Sequence, residues 1–275
     1  MKIYNKKTIL LSLLVLLSLN VFAQKDKEQY ELIFEDDFTK PYIDTNKWQV
    51  SSGVLKDATF LFEKAILKQE NIVVKEGILN IISKRDTTLN QTFDTIKRDF
   101  FFSTGKIISK QMFPIGVKIE AKIKLPKAQG LWSAFWLYGQ QDGSYNELDI
   151  FETNTNKKAI TTNMYYDASG DYNKAISNFK KSYIKLFFMG YTWKYITSHF
   201  CVYTVVWDKD EIRFLIDGKE FRTVKAKNNK SSYPVSPMSV ILNTAVLPHD
   251  YEKPKDDSLL PDRMQVDYIK VYQKK

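Results

Sequence analysis

Short runs of alternating or continuously apolar residues recur along most of this chain, and none of them lengthens into a helical period. They fall at 32–34, 48–50, 71–74, 78–82, 105–109, 117–123, 134–137, 147–151, 159–165, 202–207, 211–216, 219–224, 240–242 and 264–272, with Gly, Asn and Asp between them. Alternation over a few residues is the pattern of a strand with one buried face. Asp217-Gly218, between Ile216 and Lys219, is a residue pair suited to a two-residue hairpin turn. Many short strands with regular turns mean a sandwich or a barrel. No low-complexity linker or repeat divides the run, so residues 30–275 are expected to form one all-β domain. The 275 residues are enough for one large domain with its own core.

The amino-terminal segment is different. Lys2, Lys6 and Lys7 precede an apolar run from Ile9 to Leu19, and Val21-Phe22-Ala23 ends in a small residue. Residues 1–23 therefore read as a cleavable secretory signal, and the apolar run is short for a membrane span. Residues 24–29 are polar and read as a flexible segment. The expected location is periplasmic or secreted, with no membrane insertion after signal removal. The whole chain has 41 basic and 32 acidic residues, a net +9; without the three signal lysines the count is 38 to 32, or +6. A moderately basic surface can favour anionic partners, and solvated surface lysines explain it equally. No basic block or nucleic-acid motif is present, so no nucleic-acid partner is expected. Cys201 is the single cysteine, which excludes an intrachain disulfide, and with two His residues it cannot form a usual zinc site.

The chemistry concentrates in Glu147-Leu148-Asp149-Ile150-Phe151-Glu152, three acids in six residues of a strand-like run. Successive side chains of a strand point to opposite faces, so Glu147 and Asp149 share one face and Leu148 and Ile150 the other. Strict alternation would bury Glu152 with the aliphatic residues, which is costly for a lone carboxylate. A β-bulge near Phe151 returns Glu152 to the side of Glu147 and Asp149. At about 3.3 Å per step the two glutamate backbones then lie roughly 13 Å apart. Side chains reaching inward by about 4 Å each leave the carboxyls about 5 Å apart, the separation of a retaining glycosidase. Three crowded acids cannot all ionise easily, so at least one proton should be held there near neutral pH. Taken alone, the same acids could be an acidic strand edge or calcium ligands.

The run resembles the bulged active-site signature E-x-D-x-x-E of glycoside hydrolase family 16. The likeness extends to Phe34-Glu35-Asp36-Asp37-Phe38 with Asn46-Lys47-Trp48, to Gly77-Ile78-Leu79-Asn80-Ile81, to Gly130-Leu131-Trp132-Ser133-Ala134-Phe135-Trp136-Leu137, and to the closing Val266-Asp267-Tyr268-Ile269-Lys270-Val271-Tyr272. It implies a concanavalin A-like jelly-roll β-sandwich of two antiparallel sheets, with a polysaccharide cleft across the concave sheet. It also implies Glu147 as nucleophile, Glu152 as general acid/base, and Asp149 as an assisting acid that hydrogen-bonds Glu147. The laminarinase-like and agarase-like members share the bulged motif. The expected activity is endo-hydrolysis of a β-1,3- or β-1,3/1,4-glucan, with a β-galactan such as agarose, porphyran or carrageenan as the other substrate reading. A transglycosylase would share the same covalent intermediate. A non-catalytic lectin sandwich is the alternative class, and retention of all three acids argues against it.

Other positions follow from the residues or the resemblance. Trp132, Ala134 and Trp136 alternate onto one face and would form a slot for a pyranose; ordinary core packing is the alternative for both indoles. Asn163 and Tyr165 stand in the strand after the catalytic one, where many relatives carry a cleft histidine, and Asn243 could reach the cleft from a later strand. His199 is expected to be a packed, neutral histidine. Residues 84–101 are polar without periodicity and read as an inserted loop. Residues 174–198 gather aromatics and lysines, and Trp193 would stack on sugars if this insertion walls the cleft; packing on the body is the alternative. No cofactor is expected for catalysis. Some relatives bind a structural calcium, for which Glu35, the Gly77 carbonyl and Asp267 are the matching positions. The chain is expected to act as a monomer.

Overall fold

The computed structural model describes residues 30–54, 64–93, 96–140, 143–177, 180–226, 233–246 and 259–275. The signal reading of residues 1–23 lies outside them. In chain order the strands are β1 (Tyr30–Asp36), β2 (Trp48–Val50), β3 (Ala65–Leu67), β4 (Ile72–Lys75), β5 (Ile78–Phe93), β6 (Ile96–Thr104), β7 (Lys106–Phe113), β8 (Val117–Lys124), β9 (Leu131–Gly139), β10 (Tyr145–Asn154), β11 (Ala159–Asp167), β12 (Lys180–Tyr183), β13 (Cys201–Trp207), β14 (Glu211–Ile216), β15 (Lys219–Lys225), β16 (Met238–Val246) and β17 (Asp262–Lys274). The larger sheet runs β15-β14-β13-β8-β17-β5-β6-β3, with β1 also on β17 and β4 also on β5; the smaller runs β12-β11-β10-β9-β16-β7-β2. The alternating runs predict a sandwich or a barrel, and this is the jelly-roll sandwich that the resemblance implies. One pairing departs from the antiparallel expectation: β3 lies parallel to β6.

The alternation explains the core. In β8, Val117, Ile119, Ala121 and Ile123 are buried, while the lysines and glutamate between them are only partly covered. From the facing sheet come Phe135, Leu137, Leu148, Phe151 and Leu242, all within the same apolar cluster. Truncating a fully buried side chain of this kind, such as Ile119→Ala, costs about 2–5 kcal/mol. The β14–β15 hairpin turns at Asp217 (φ 46°) and Gly218 (φ 75°), the left-handed pair that a tight hairpin requires. Glu76 (φ 54°) and Gly77 (φ 73°) repeat the device between β4 and β5.

One expectation needs correction, and one open reading gains detail. Residues 84–101 were expected to be a loop, but among the described residues 84–93 belong to β5 and 96–101 to β6, which pair antiparallel with two register shifts. Polar residues on these strands erase the hydrophobic period, while Arg85 lies over Phe102 and Arg98 over Phe100, each 5.3 Å from the ring centre. Residues 174–198 are an insertion with structure of its own. It includes the edge strand β12, a 3-10 turn at Leu186–Met189 and a one-turn helix at Trp193–Ile196 capped by the Thr192 hydroxyl. Trp193 packs partly buried against the main core rather than on the cleft, and Phe187 and Phe188 are the exposed aromatics of the segment. Among the described residues no helix is long and apolar enough to cross a membrane.

Candidate active site

The middle of the smaller sheet is where the acids meet. Against β11, Asp149 pairs with Asn163 and Glu152 with Thr161, so Ile150 and Phe151 together face the single residue Thr162. Against β9, Asp149 pairs with Trp136 and Phe151 with Phe135, which leaves Ile150 as the extra residue. The consequence is direct: Leu148, Ile150 and Phe151 all enter the core, and Glu152 emerges on the other face with Glu147 and Asp149. The bulge expected near Phe151 is centred one residue earlier.

The electrostatics follow from crowding. Asp149 is 2% exposed. Burial, then the charges of Glu152 and Glu147, push its carboxyl well above the usual range. These causes favour its protonated form, and it hydrogen-bonds Glu152. Glu152 is pushed up to about 7, chiefly by burial, against hydrogen bonds from Trp132, Asn163 and Asp149 and the Lys181 charge, which favour the anion. The Asn163 amide donates to Asp149 Oδ2 at 2.8 Å and also to Glu152 Oε2. Glu147 accepts from the Tyr145 hydroxyl at 2.5 Å. Sequence reasoning expected Asp149 to hydrogen-bond Glu147; Asp149 also bonds Glu152 and Asn163, and the Glu147 charge acts on it.

The neighbours form a floor and one flank. Trp136 donates its indole N–H to Asn243 Oδ1 at 2.7 Å, and the Lys106 ammonium sits 5.2 Å from its ring centre. Asn243 is thus brought to Trp136 as a hydrogen-bond partner. Tyr165 lies opposite Glu147 in register, its phenol held neutral by burial and by the nearby carboxylates. On the β12 side, Trp132, Glu152, Thr161, Lys157, Lys181 and Tyr183 line a cavity of about 170 Å³. Sequence reasoning missed Tyr145 and Tyr138, whose rings pack edge to face at 5.4 Å beside Glu147. Alternation already placed Tyr145, two residues before Glu147, on the acidic face. Lys181 and Tyr183 carried no such signal, because they come from the insertion.

Other predicted positions lie elsewhere. His199 is exposed and stacks on Tyr195 at 4.3 Å rather than packing inside. Cys201 is buried, its thiol pushed up to about 12 by burial. The calcium set does not fit as it stands. Lys270 holds the Glu35 carboxylate at 2.9 Å, Lys122 holds Asp267 at 2.6 Å, and the Glu35 carbonyl accepts from Lys47 at 2.6 Å. A cation there would have to displace two ammonium groups. Among the described residues no three His, Cys, Asp or Glu side chains gather as a metal-binding group.

Comparison with known proteins agrees with this geometry. The family model described as Glycosyl hydrolases family 16 matches residues 64–270. Glucan endo-1,3-beta-glucosidase A1 of Niallia circulans is 27% identical over 88% of this chain, and the chain spans 37% of that relative's length. The laminarinase catalytic domain from Thermotoga maritima MSB8 superposes with a TM-score of 0.72 at 22% identity, covering 90% of this chain and 99% of that one. The endo-beta-1,3-glucanase from Pyrococcus furiosus gives 0.70 at 23% identity, covering 90% and 95%. At these identities the two structures speak for the fold.

Proposed function

The chain belongs to glycosyl hydrolases family 16, and from that premise we propose that it is an endo-acting, retaining β-glycan hydrolase acting on a β-1,3- or mixed β-1,3/1,4-glucan. The observation that carries the proposal is the bulge that turns Glu147, Asp149 and Glu152 onto one face, with Glu152 raised to about 7. A carboxylic acid protonated near neutral pH beside a second carboxylate is the pair that double displacement needs. The similarity to Glucan endo-1,3-beta-glucosidase A1 supports the choice of glucan.

The steps follow from the positions. Glu147, oriented by the Tyr145 hydroxyl, attacks the anomeric carbon while Glu152 gives its proton to the leaving oxygen. The bond to the leaving sugar breaks and a glycosyl ester forms on Glu147. Glu152, now an anion held by Asn163 and Trp132, takes a proton from water, whose oxygen attacks the same carbon and frees Glu147. Glu147 is by then a neutral ester, and the proton that burial favours on Asp149 spares the Glu152 anion a neighbouring negative charge. No step uses a metal.

Laminarin and mixed-linkage glucan, digested with pure protein and followed by mass and by proton NMR of the first product, test this. Internal cleavage with the β-anomer appearing first supports the reading. Binding without new reducing ends would favour a lectin, and longer glycans in place of shorter ones a transglycosylase. Lys157 and Lys181 in the cavity beside Glu152 favour one second reading, an anionic β-galactan, for which carrageenan and porphyran belong in the same screen. The amino-terminal sequence supports export to the periplasm or beyond, and we take the working form to be a monomer; fractionation and light scattering check both.

A further inference from the structure

The bulge in β10 has a counterpart in the opposite sheet. β15 is itself irregular: Phe214 pairs with Arg222 and Leu215 with Glu220, so Phe221 is the extra residue. Phe221 packs on the core, and Arg222 lies against Phe214, its guanidinium 5.2 Å from the ring centre. From there it crosses between the sheets. Its Nη1 donates to the Thr162 carbonyl at 2.6 Å and to the Thr162 hydroxyl at 2.5 Å. Thr162 is fully buried, and it is the one residue of β11 set opposite both Ile150 and Phe151. The next residue, Asn163, is the amide that holds Asp149 and Glu152.

We propose that Arg222 is a positioning residue of the reaction: by fixing Thr162 across the bulge it sets the Asn163 amide, and through it the acid/base Glu152. The proposal deepens the hydrolase reading and rests on it. Two donor–acceptor bonds on one residue hold the backbone at the point where the ladder is interrupted, and a displacement there passes directly to the next side chain. Arg222 also places a positive charge toward Asp149 from beneath the sheet. The other charged and titratable groups near the three acids include Tyr145, Tyr165, Lys181 and Lys157, from the strands of the smaller sheet and the turn after β10.

The test uses Arg222→Met, Arg222→Lys and Thr162→Val in the full chain. Each is assayed on the best glycan and titrated by ¹³C NMR of the glutamate carboxyls. Arg222→Met should lower kcat by about tenfold to a hundredfold, the cost of a small misplacement from outside the reacting groups, with KM little changed. Its Glu152 midpoint and the basic limb of its pH profile should move to higher pH, because a cation and a fixed amide have been lost. Arg222→Lys should restore part of both, and Thr162→Val should show a smaller loss in the same direction. Wild-type kcat and an unmoved Glu152 midpoint in folded Arg222→Met would overturn the proposal. If that variant does not fold, the Arg222→Lys/Thr162→Val cycle decides: coupled losses support it and additive losses overturn it. A wild-type protein inactive on every β-glycan would sink the hydrolase reading alone, since the NMR midpoint still reads the Arg222 linkage.

Discussion

The two sheets treat their carboxylates in opposite ways. On the larger sheet, acids meet lysines: Glu35 with Lys270, Asp267 with Lys122, and Asp208 with Lys274 at 2.5 Å. The Lys274 ammonium holds the Asp208 carboxyl below its ordinary value. On the smaller sheet, three acids are pressed together and partly dried, and two of them rise. The first arrangement keeps charges solvated and costs little. The second gives up favourable hydration to keep a transferable proton at neutral pH. The difference is geometric, because the bulge at Ile150 denies Glu152 its place in the alternation.

The strongest way to break this contrast is to remove the nucleophile. Glu147→Gln should lower kcat by on the order of 10⁴-fold or more, with folding and glycan binding preserved; steady-state assay against affinity electrophoresis checks it. Glu152→Ala should cost about 10²–10⁴-fold on glycan and recover on an activated aryl glycoside when azide is added, giving a glycosyl azide seen by mass. Asn163→Leu should lose less activity and move the basic limb of the pH profile above its wild-type position near 7, because a bond to the anion is lost.

The contrast also predicts stability. The folded-state pKa of Glu152 is raised from 4.5 to about 7, so the fold prefers its protonated form. That contribution is complete below pH 4.5 and is lost as pH rises through about 7. Wild type should therefore lose more melting temperature than Glu152→Gln between pH 5 and pH 8, measured by calorimetry. The smallest effect belongs to the other sheet. Lys270→Ala should change stability by less than about 1 kcal/mol and leave the pH profile in place.

Much of this was legible before any coordinates. In a regular strand Glu152 would be buried as a lone carboxylate, so the sequence already pointed to the bulge that the register shows. The strands with one dry face were equally clear, because alternation records which side meets the core. The β5–β6 pairing was invisible for the same reason, since its polar residues leave no period to read. Trp193 stayed open between two readings because an aromatic among lysines looks alike whether it caps a core or faces a ligand. Arg222 could not be found at all, since its contact spans 60 residues and joins two sheets.

One feature of the topology bears on how the molecule is made. β17 lies inside the larger sheet, flanked by β5 and β8, and also takes β1 as a partner, with Tyr30 beside Lys274. This strand joins partners that stand far earlier in the chain, so the larger sheet closes only through long-range pairings made after β17, and its assembly should be slow. Until then β5 and β8 lack the neighbour between them, which leaves a long interval in which a chaperone can hold the chain open.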